Sequence, residues 1–175
     1  CTRWGNVLGS TGSVVGIWRR QLAAGEPITV TDERMTRFIT TVGQAVEFTL
    51  RALKTMEGGE VFIPRLPAAR LMDLASAVLA TQPPSLFGQP GAPVITGLRP
   101  GGEKLNEALL SPEEAARAYY LEVDDRMVIL PSHHSWRASW PWPEGAKAVR
   151  EPYSSDAPDR WLSVADLVAM LKEVP

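Results

Sequence analysis

The chain of 175 residues is predicted to be an α/β protein, on three observations. Short β-prone runs recur at Val7-Leu8, Ile28 to Thr31 and Glu60 to Ile63. The segments between them repeat apolar residues at helical spacing. Gly, Pro, Ser and Asp stand where helices start and stop. Strand, helix, strand, helix in this order predicts crossover units on a mostly parallel sheet.

The elements follow in order. Val7-Leu8 closes a buried strand edge and Gly9-Ser10-Thr11-Gly12 is a turn. Ser13 is placed to cap a helix over Val14 to Ala24, which Gly25 stops. Ile28 to Thr31 is a short β run. Val42, Ala45, Val46, Thr49, Leu50 and Leu53 form one apolar helical stripe, with Gln44, Glu47, Arg51 and Lys54 off it, ending near Gly58-Gly59. Glu60 to Ile63 is a strand stopped by Pro64, and Pro67 precedes a helix over Ala69 to Leu79. Thr81 to Pro93, rich in Pro and Gly, is a connector. Val94 to Leu98 reads as a strand, and Lys104 to Leu110 as a short helix. Ser111-Pro112-Glu113-Glu114 is a helix start with cap, proline and acidic first turn. Val128 to Leu130 is a further strand. Periodicity is lost between Ser132 and Arg160. Ser163, facing Asp166, then opens a last helix with Val164, Leu167, Val168 and Leu171 apolar.

Composition bounds the function. A hydrophobic fraction of 45% supports a real core. The net charge of -2 makes the chain as a whole unattractive to nucleic acid and to acidic membrane, so an anionic ligand needs a local cluster of arginines. Cys1 is the only cysteine, which excludes an intrachain disulfide and fits a reducing, cytoplasmic compartment. The longest apolar runs, such as Leu74 to Ala80, are too short to span a bilayer. Nothing resembles a signal peptide, and the chain starts without methionine, so it is read as a processed, truncated or partly observed chain.

Three segments read as one anion-recognition surface: Thr2 to Val7, Asp32 to Phe38 and Arg99 to Lys104. Asn6 can donate to a phosphate or sugar oxygen from a strand end. Gly12 lets backbone approach closely, and the amides of the helix opening at Ser13 point to the same region; an ordinary turn and cap would look the same. Arg37 and, less directly, Arg34 follow the β run, and a guanidinium fork suits phosphate; the alternative is a solvated surface arginine. Arg99 can hold a phosphate beside Glu103, whose carboxylate can accept both ribose hydroxyls; a charged turn is the alternative. His133 and His134 face opposite ways on an extended chain and lack partners for a metal set. Trp136, Trp140, Trp142 and Trp161 read as anchors that pin an irregular tail to the body. No Tyr-x-x-x-Lys pair and no glycine-rich dinucleotide fingerprint is present. The residues offer binding equipment without chemical equipment.

Thr2-Arg3-Trp4-Gly5-Asn6-Val7, followed by Gly12-Ser13-Val14, resembles the Thr-Arg-Tyr-Gly-Asn-Val and Gly-Ser-Val patterns of nucleotide-sugar dehydratases in the extended short-chain dehydrogenase/reductase superfamily. The polysaccharide-biosynthesis subgroup, with UDP-N-acetylglucosamine 4,6-dehydratases and their 5-epimerising relatives, is matched in order. The matching segments are Ile28 to Asp32, Met35 to Phe38, Gly58 to Pro64 and Leu98 to Leu105. Tyr153-Ser154-Ser155 and Trp161-Leu162-Ser163 are also similar. Trp4 replaces the family's Tyr, and Gly102 adds one residue to its Arg-Pro-Gly-Glu.

The resemblance implies a two-part enzyme in which an N-terminal Rossmann domain binds NAD or NADP and carries the catalytic residues. This chain would supply the last elements of the Rossmann-type parallel sheet (residues 1–83) and a small mixed α/β substrate-binding subdomain with the Trp/Pro-rich tail (84–175). Asn6, Gly12 and Ser13 would lie near the diphosphate of a UDP-sugar. Ile28 and Val30 would flank the uracil, Arg37 and Arg99 would neutralise phosphate, and Glu103 would hold the ribose. No cofactor is expected on this chain alone, and a homo-oligomer is left open. The second reading, from another class, is a non-catalytic protein-interaction module derived from such an enzyme.

Overall fold

The computed structural model describes residues 1–82, 91–98, 101, 103–132 and 145–174. The elements in chain order are β1 (Asn6–Val7), α1 (Val14–Ala23), β2 (Thr29–Val30), β3 (Thr36–Thr40), α2 (Val42–Thr55), β4 (Val61–Pro64) and β5 (Ala68–Arg70). Then come α3 (Leu71–Ala80), β6 (Val94–Ile95), β7 (Ala108–Leu110), α4 (Pro112–Ala115) and β8 (Ala118–Leu121). A 3-10 turn (Glu122–Asp124), β9 (Arg126–Ile129), β10 (Lys147–Ala148), β11 (Tyr153–Ser154) and α5 (Val164–Lys172) complete the described elements.

The class is mixed α/β with open sheets, and the expectation of a mostly parallel sheet is corrected. β1 pairs parallel with β3, and β2 with β6. The remaining pairs, β3 with β5, β4 and β8 with β9, β8 with β10 and β7 with β11, are antiparallel. Crossover helices account for the parallel pairs. The antiparallel ones join short strands through brief turns or bring together segments far apart in sequence.

Three helices start at a reciprocal capping box, whereas α1 and α3 have no side-chain capping bond. Thr41 and Gln44 form a reciprocal box at α2, as do Ser111 with Glu114 at α4 and Ser163 with Asp166 at α5. Gly25, at a φ of 73°, ends the first helix. The helix expected over Lys104 to Leu110 is not formed. Ala108–Leu110 is instead strand β7, held by β11. Leu109 and Leu110 are both buried, which an extended segment clamped between layers achieves and a single helical face does not.

Three apolar clusters hold the chain together. In the largest, Trp18, Ile28, Met35, Ile39, Leu74, Val78, Leu167 and Leu171 pack α1, α3 and α5 around β2 and β3. The Trp18 indole donates to the Thr29 carbonyl at 2.7 Å, so its polar edge is satisfied within the core. In the second, Phe38 and Tyr153 rings lie 4.5 Å apart. The buried Tyr153 hydroxyl accepts from the Leu66 amide at 2.9 Å and donates to the Leu66 carbonyl at 2.7 Å. The third joins Phe48 and Ala52 of α2 to Phe62, Leu121 and Val128.

One face breaks the usual pattern. The apolar stripe of α2 points outward: Val42, Val46, Leu50 and Leu53 are each more than half exposed, and the helix buries Phe48 and Ala52 instead. Trp161 does pin the tail as expected. It bridges to Ala68, its neighbours Arg160 and Leu162 exchange backbone hydrogen bonds with that residue, and Arg70 stacks on its ring at 4.6 Å. Trp136, Trp140 and Trp142 lie outside the described residues.

Arg3 ties the N-terminal segment to α4. Its guanidinium grips the Glu114 carboxylate with both nitrogens, at 2.7 and 2.8 Å, and donates to the Leu109 carbonyl at 2.8 Å. Those bonds hold the Glu114 carboxyl down to about 2 from its ordinary 4.5. Because the folded value is depressed, the contribution is complete above the unfolded value and is lost as pH falls from about 4.5 to about 2. Glu114→Gln is expected to cost about 1 kcal/mol at neutral pH, the modest figure for a pair open to solvent. Urea titrations at a series of pH values should show that difference vanishing near pH 2.

Candidate functional site

A cleft of about 290 Å³ opens where β1 and β2 end. Its walls are the β1 end and the following turn, the start of α1, the end of β2, the inner face of β3, the start of α3 and Glu103. Clefts outside the carboxyl ends of strands are the usual ligand seats of open α/β sheets.

Asn6, the first residue of the two-residue strand β1, is exposed and lines the cleft. Gly12 follows at a φ of 76°, and nothing lies within 4 Å of where its Cβ would stand. Only glycine takes that conformation without strain. Ser13 occupies the cap position of α1, yet its hydroxyl makes no capping bond and has no hydrogen-bond partner although buried. The first amides of α1 have no intrahelical acceptor either. The start of α1 therefore presents unmatched donors to the cleft, where an anion is favoured by the helix dipole. Gly9 opens the same turn at a φ of 75°, and Val174 lies 2.2 Å from where its Cβ would be.

Val30 is buried and lines the cleft beside Thr31. The Thr31 hydroxyl lies 3.2 Å from the Met35 sulfur and 3.3 Å from a Glu103 carboxylate oxygen. Glu103 is thus seated against the end of β2. Arg37 lines the cleft from β3 and clasps the facing segment. Its Nη1 donates to the carbonyls of Thr36 at 2.7 Å and Leu105 at 2.9 Å, and its Nη2 donates to Lys104 at 3.0 Å. Its Nε is 3.4 Å from Glu107. Burial raises the Glu107 carboxyl pKa, against the lowering charges of Arg37 and Lys104.

The structure therefore brings together Asn6, Gly12, Ser13, Val30, Arg37 and Glu103. Ile28 is fully buried in the main core and is not in the cleft wall. Arg34 sits outside it, 67% exposed, with both its Nε and Nη2 donating to Asp32, whose carboxyl is held down to about 2 by those bonds. Arg99, His133 and His134 lie outside the described residues. Among the described residues there is no group of three His, Cys, Asp or Glu positioned for a metal, and no helix is long and apolar enough to cross a membrane. Thr31 and Met35 are site residues that the sequence reading did not single out. The signal for Thr31 was a hydroxyl at the end of a β run.

Strand ends, a glycine turn and a helix start meet around one cleft of a mixed α/β fold with open sheets. Residues 1–129 match the family described as polysaccharide biosynthesis protein, and the chain belongs to that family. It is 32% identical to the UDP-N-acetylglucosamine 4,6-dehydratase (inverting) of Campylobacter jejuni, over 97% of this chain and 50% of that protein. It is 35% identical to the UDP-glucose 4-epimerase of Rickettsia typhi, over 67% of this chain and 33% of that one. The solved structure of Pen from Bacillus thuringiensis superposes with a TM-score of 0.79 at 31% identity, covering 98% of this chain and 49% of that one. The chain is homologous to sugar-nucleotide dehydratases and epimerases and spans about half the length of the dehydratase.

Removing the Arg37 clasp should free the segment it holds. Arg37→Met is expected to cost about 2 kcal/mol. Hydrogen exchange of residues 104–107 should quicken at least tenfold, with α5 unchanged.

Proposed function

We propose that this chain is the UDP-sugar-binding portion of an NAD(P)-dependent, UDP-N-acetylglucosamine 4,6-dehydratase-like enzyme of polysaccharide biosynthesis. The observation that carries the reading is the meeting of Asn6, the unmatched Ser13 hydroxyl, Arg37 and Glu103 around one cleft. Homology to sugar-nucleotide dehydratases and epimerases supports the ligand class.

In this reading the α1 start and Asn6 receive the diphosphate, with Arg37 close by and Arg99 as second cation. Val30 lies along the base, and Glu103, steadied by Thr31, takes the ribose hydroxyls. The cleft has a glycine turn opening on a helix start, which suits a diphosphate. In this reading NAD or NADP belongs to the complete protein, where it would supply removal and return of hydride on the sugar. What this chain contributes is binding and orientation: it fixes the nucleotide so that the sugar projects out of the cleft toward the catalytic groups of the other half.

The cleft volume sits at the lower limit of ligand pockets, so this chain alone should hold UDP weakly or not at all. Calorimetry that found micromolar UDP binding by residues 1–175 would contradict that expectation. In the completed protein, Arg99→Ala should weaken UDP-sugar affinity tenfold or more, the value of a charge-assisted phosphate contact, and Arg34→Ala less than twofold. Equal losses would refute the assigned roles.

A further inference from the structure

The turn that leads from β1 into α1 carries the groups that face an anion, yet little within the turn fixes its shape. Gly9 and Gly12 both stand at positive φ, 75° and 76°, and Gly9, Ser10, Thr11 and Gly12 are all exposed. Glycine gives up more backbone freedom on ordering than any other residue. A turn hinged at two glycines therefore keeps one shape only where something outside it bears on it. Inside the turn, the Ser10 amide donates to the Val7 carbonyl at 3.3 Å and the Ser13 amide to the Ser10 carbonyl at 2.9 Å. The cap position adds no further tie, because the Ser13 hydroxyl makes no capping bond.

The outside support is the residue that follows the last helix by two. Val174 turns its amide back to the Leu171 carbonyl at 3.4 Å, and its side chain lies against Gly9 in the space a side chain there would fill. The valine is itself anchored. Leu167 and Leu171 of α5 are buried in the main apolar cluster, and Val174 packs on that cluster. Arg19 of α1 donates through Nη2 to the Leu171 carbonyl at 3.3 Å, at a helix end where carbonyls lack helical partners and a cation is favoured. α1 thus grips the last turn of α5, and the chain just past that turn bears on the loop that feeds α1. The contacts close a ring through the turn, α1, Arg19, the end of α5 and Val174. α3, whose Leu71 and Leu74 line the cleft, packs against both helices.

We propose that Val174 is a positioning residue for the ligand. It is no part of the cleft wall, and it acts by holding the turn so that the first amides of α1 and the Ser13 hydroxyl stay aimed at one place. Several donors that meet one anion bind it best when they are ordered before it arrives, since ordering them on arrival is a cost taken from affinity. Removing the valine moves that cost into the binding step. Only the part of the ligand that meets the turn feels it. Val30, Thr31 and Glu103 belong to other elements and keep their places. The proposal rests on the diphosphate reading for its ligand, whereas the contact of Val174 with the turn does not.

The test uses the complete protein with Val174→Ala, which removes the Cγ1 beside Gly9, and Val174→Thr, which keeps a branched side chain of nearly the same shape. Hydrogen exchange reads the turn. The amides of residues 10–13 are expected to exchange about fivefold faster in Val174→Ala, with β3 unchanged and Val174→Thr close to the unsubstituted protein. Calorimetry with UDP and with uridine reads the consequence. Val174→Ala is expected to weaken UDP roughly fivefold, the cost of ordering a turn at binding, and to leave uridine unchanged. Unaltered exchange at residues 10–13 would overturn the proposal. Faster exchange with undiminished UDP affinity would overturn it as well, since the turn would then move without consequence. So would equal weakening of UDP and uridine, the mark of a residue that only supports the core. An unsubstituted protein that held UDP no more tightly than uridine would instead defeat the nucleotide-sugar reading, and the exchange rates would still decide whether Val174 holds the turn.

Discussion

Strand β3 has to satisfy partners on every side, and the rest of the molecule is arranged to let it. Its backbone pairs with β1 along one edge and β5 along the other. Its first residue, Thr36, lies in a buried knot: the hydroxyl meets Ser155 at 2.7 Å and Asn106 at 3.0 Å, and the carbonyl accepts from Ser155 at 3.0 Å. Buried polar groups are costly unless every one is matched, so this knot fixes where the 103–107 segment and the segment around Ser155 must come to rest. The next residue, Arg37, uses the position so created. Its guanidinium spans from β3 to the carbonyls of Lys104 and Leu105, and the wall that carries Glu103 follows from that span. Core, knot and cleft wall are consecutive consequences of one strand.

The local parts of this arrangement were readable in the sequence and the distant ones were not. Helix starts at Ser111 and Ser163 are written within four residues, and both boxes form. The turn at Gly12 is likewise local chemistry. Strand β3 was not seen because Thr36 to Thr40 has no alternation: four of its five residues are buried, on both faces. Strand β7 was read as helix because its reason to be extended, the pairing with Tyr153 and Ser154, lies more than forty residues further on. Thr31 shows the same limit within the site. Its hydroxyl matters through Glu103, 72 residues away, a distance no local pattern encodes. The stripe of α2 was legible as a pattern; which of its two apolar sides faces inward depends on Phe62 and Val128, again remote in sequence.

In the proposed reading, affinity belongs to this chain and chemistry to the rest of the protein. The cleft joins a helix start to the end of β2, where the Glu103 carboxylate meets the Thr31 hydroxyl, with Arg37 holding the 104–105 segment beside it. In that reading the arrangement orients a ligand with one acidic and one hydroxyl-rich end, because the acidic end is repelled by the Glu103 carboxylate while hydroxyls can donate to it. Orientation of that kind costs the protein no reacting group of its own.

The packing of Val174 into the space beside Gly9 links the two ends of the described chain. A methyl group on residue 9 would collide with the side chain of that valine, just past the end of α5. Glycine is therefore held at position 9 twice, by the valine and by its own backbone, and shortening residue 174 relieves only the first. In an alignment of close homologues, position 9 should stay glycine even where residue 174 is small.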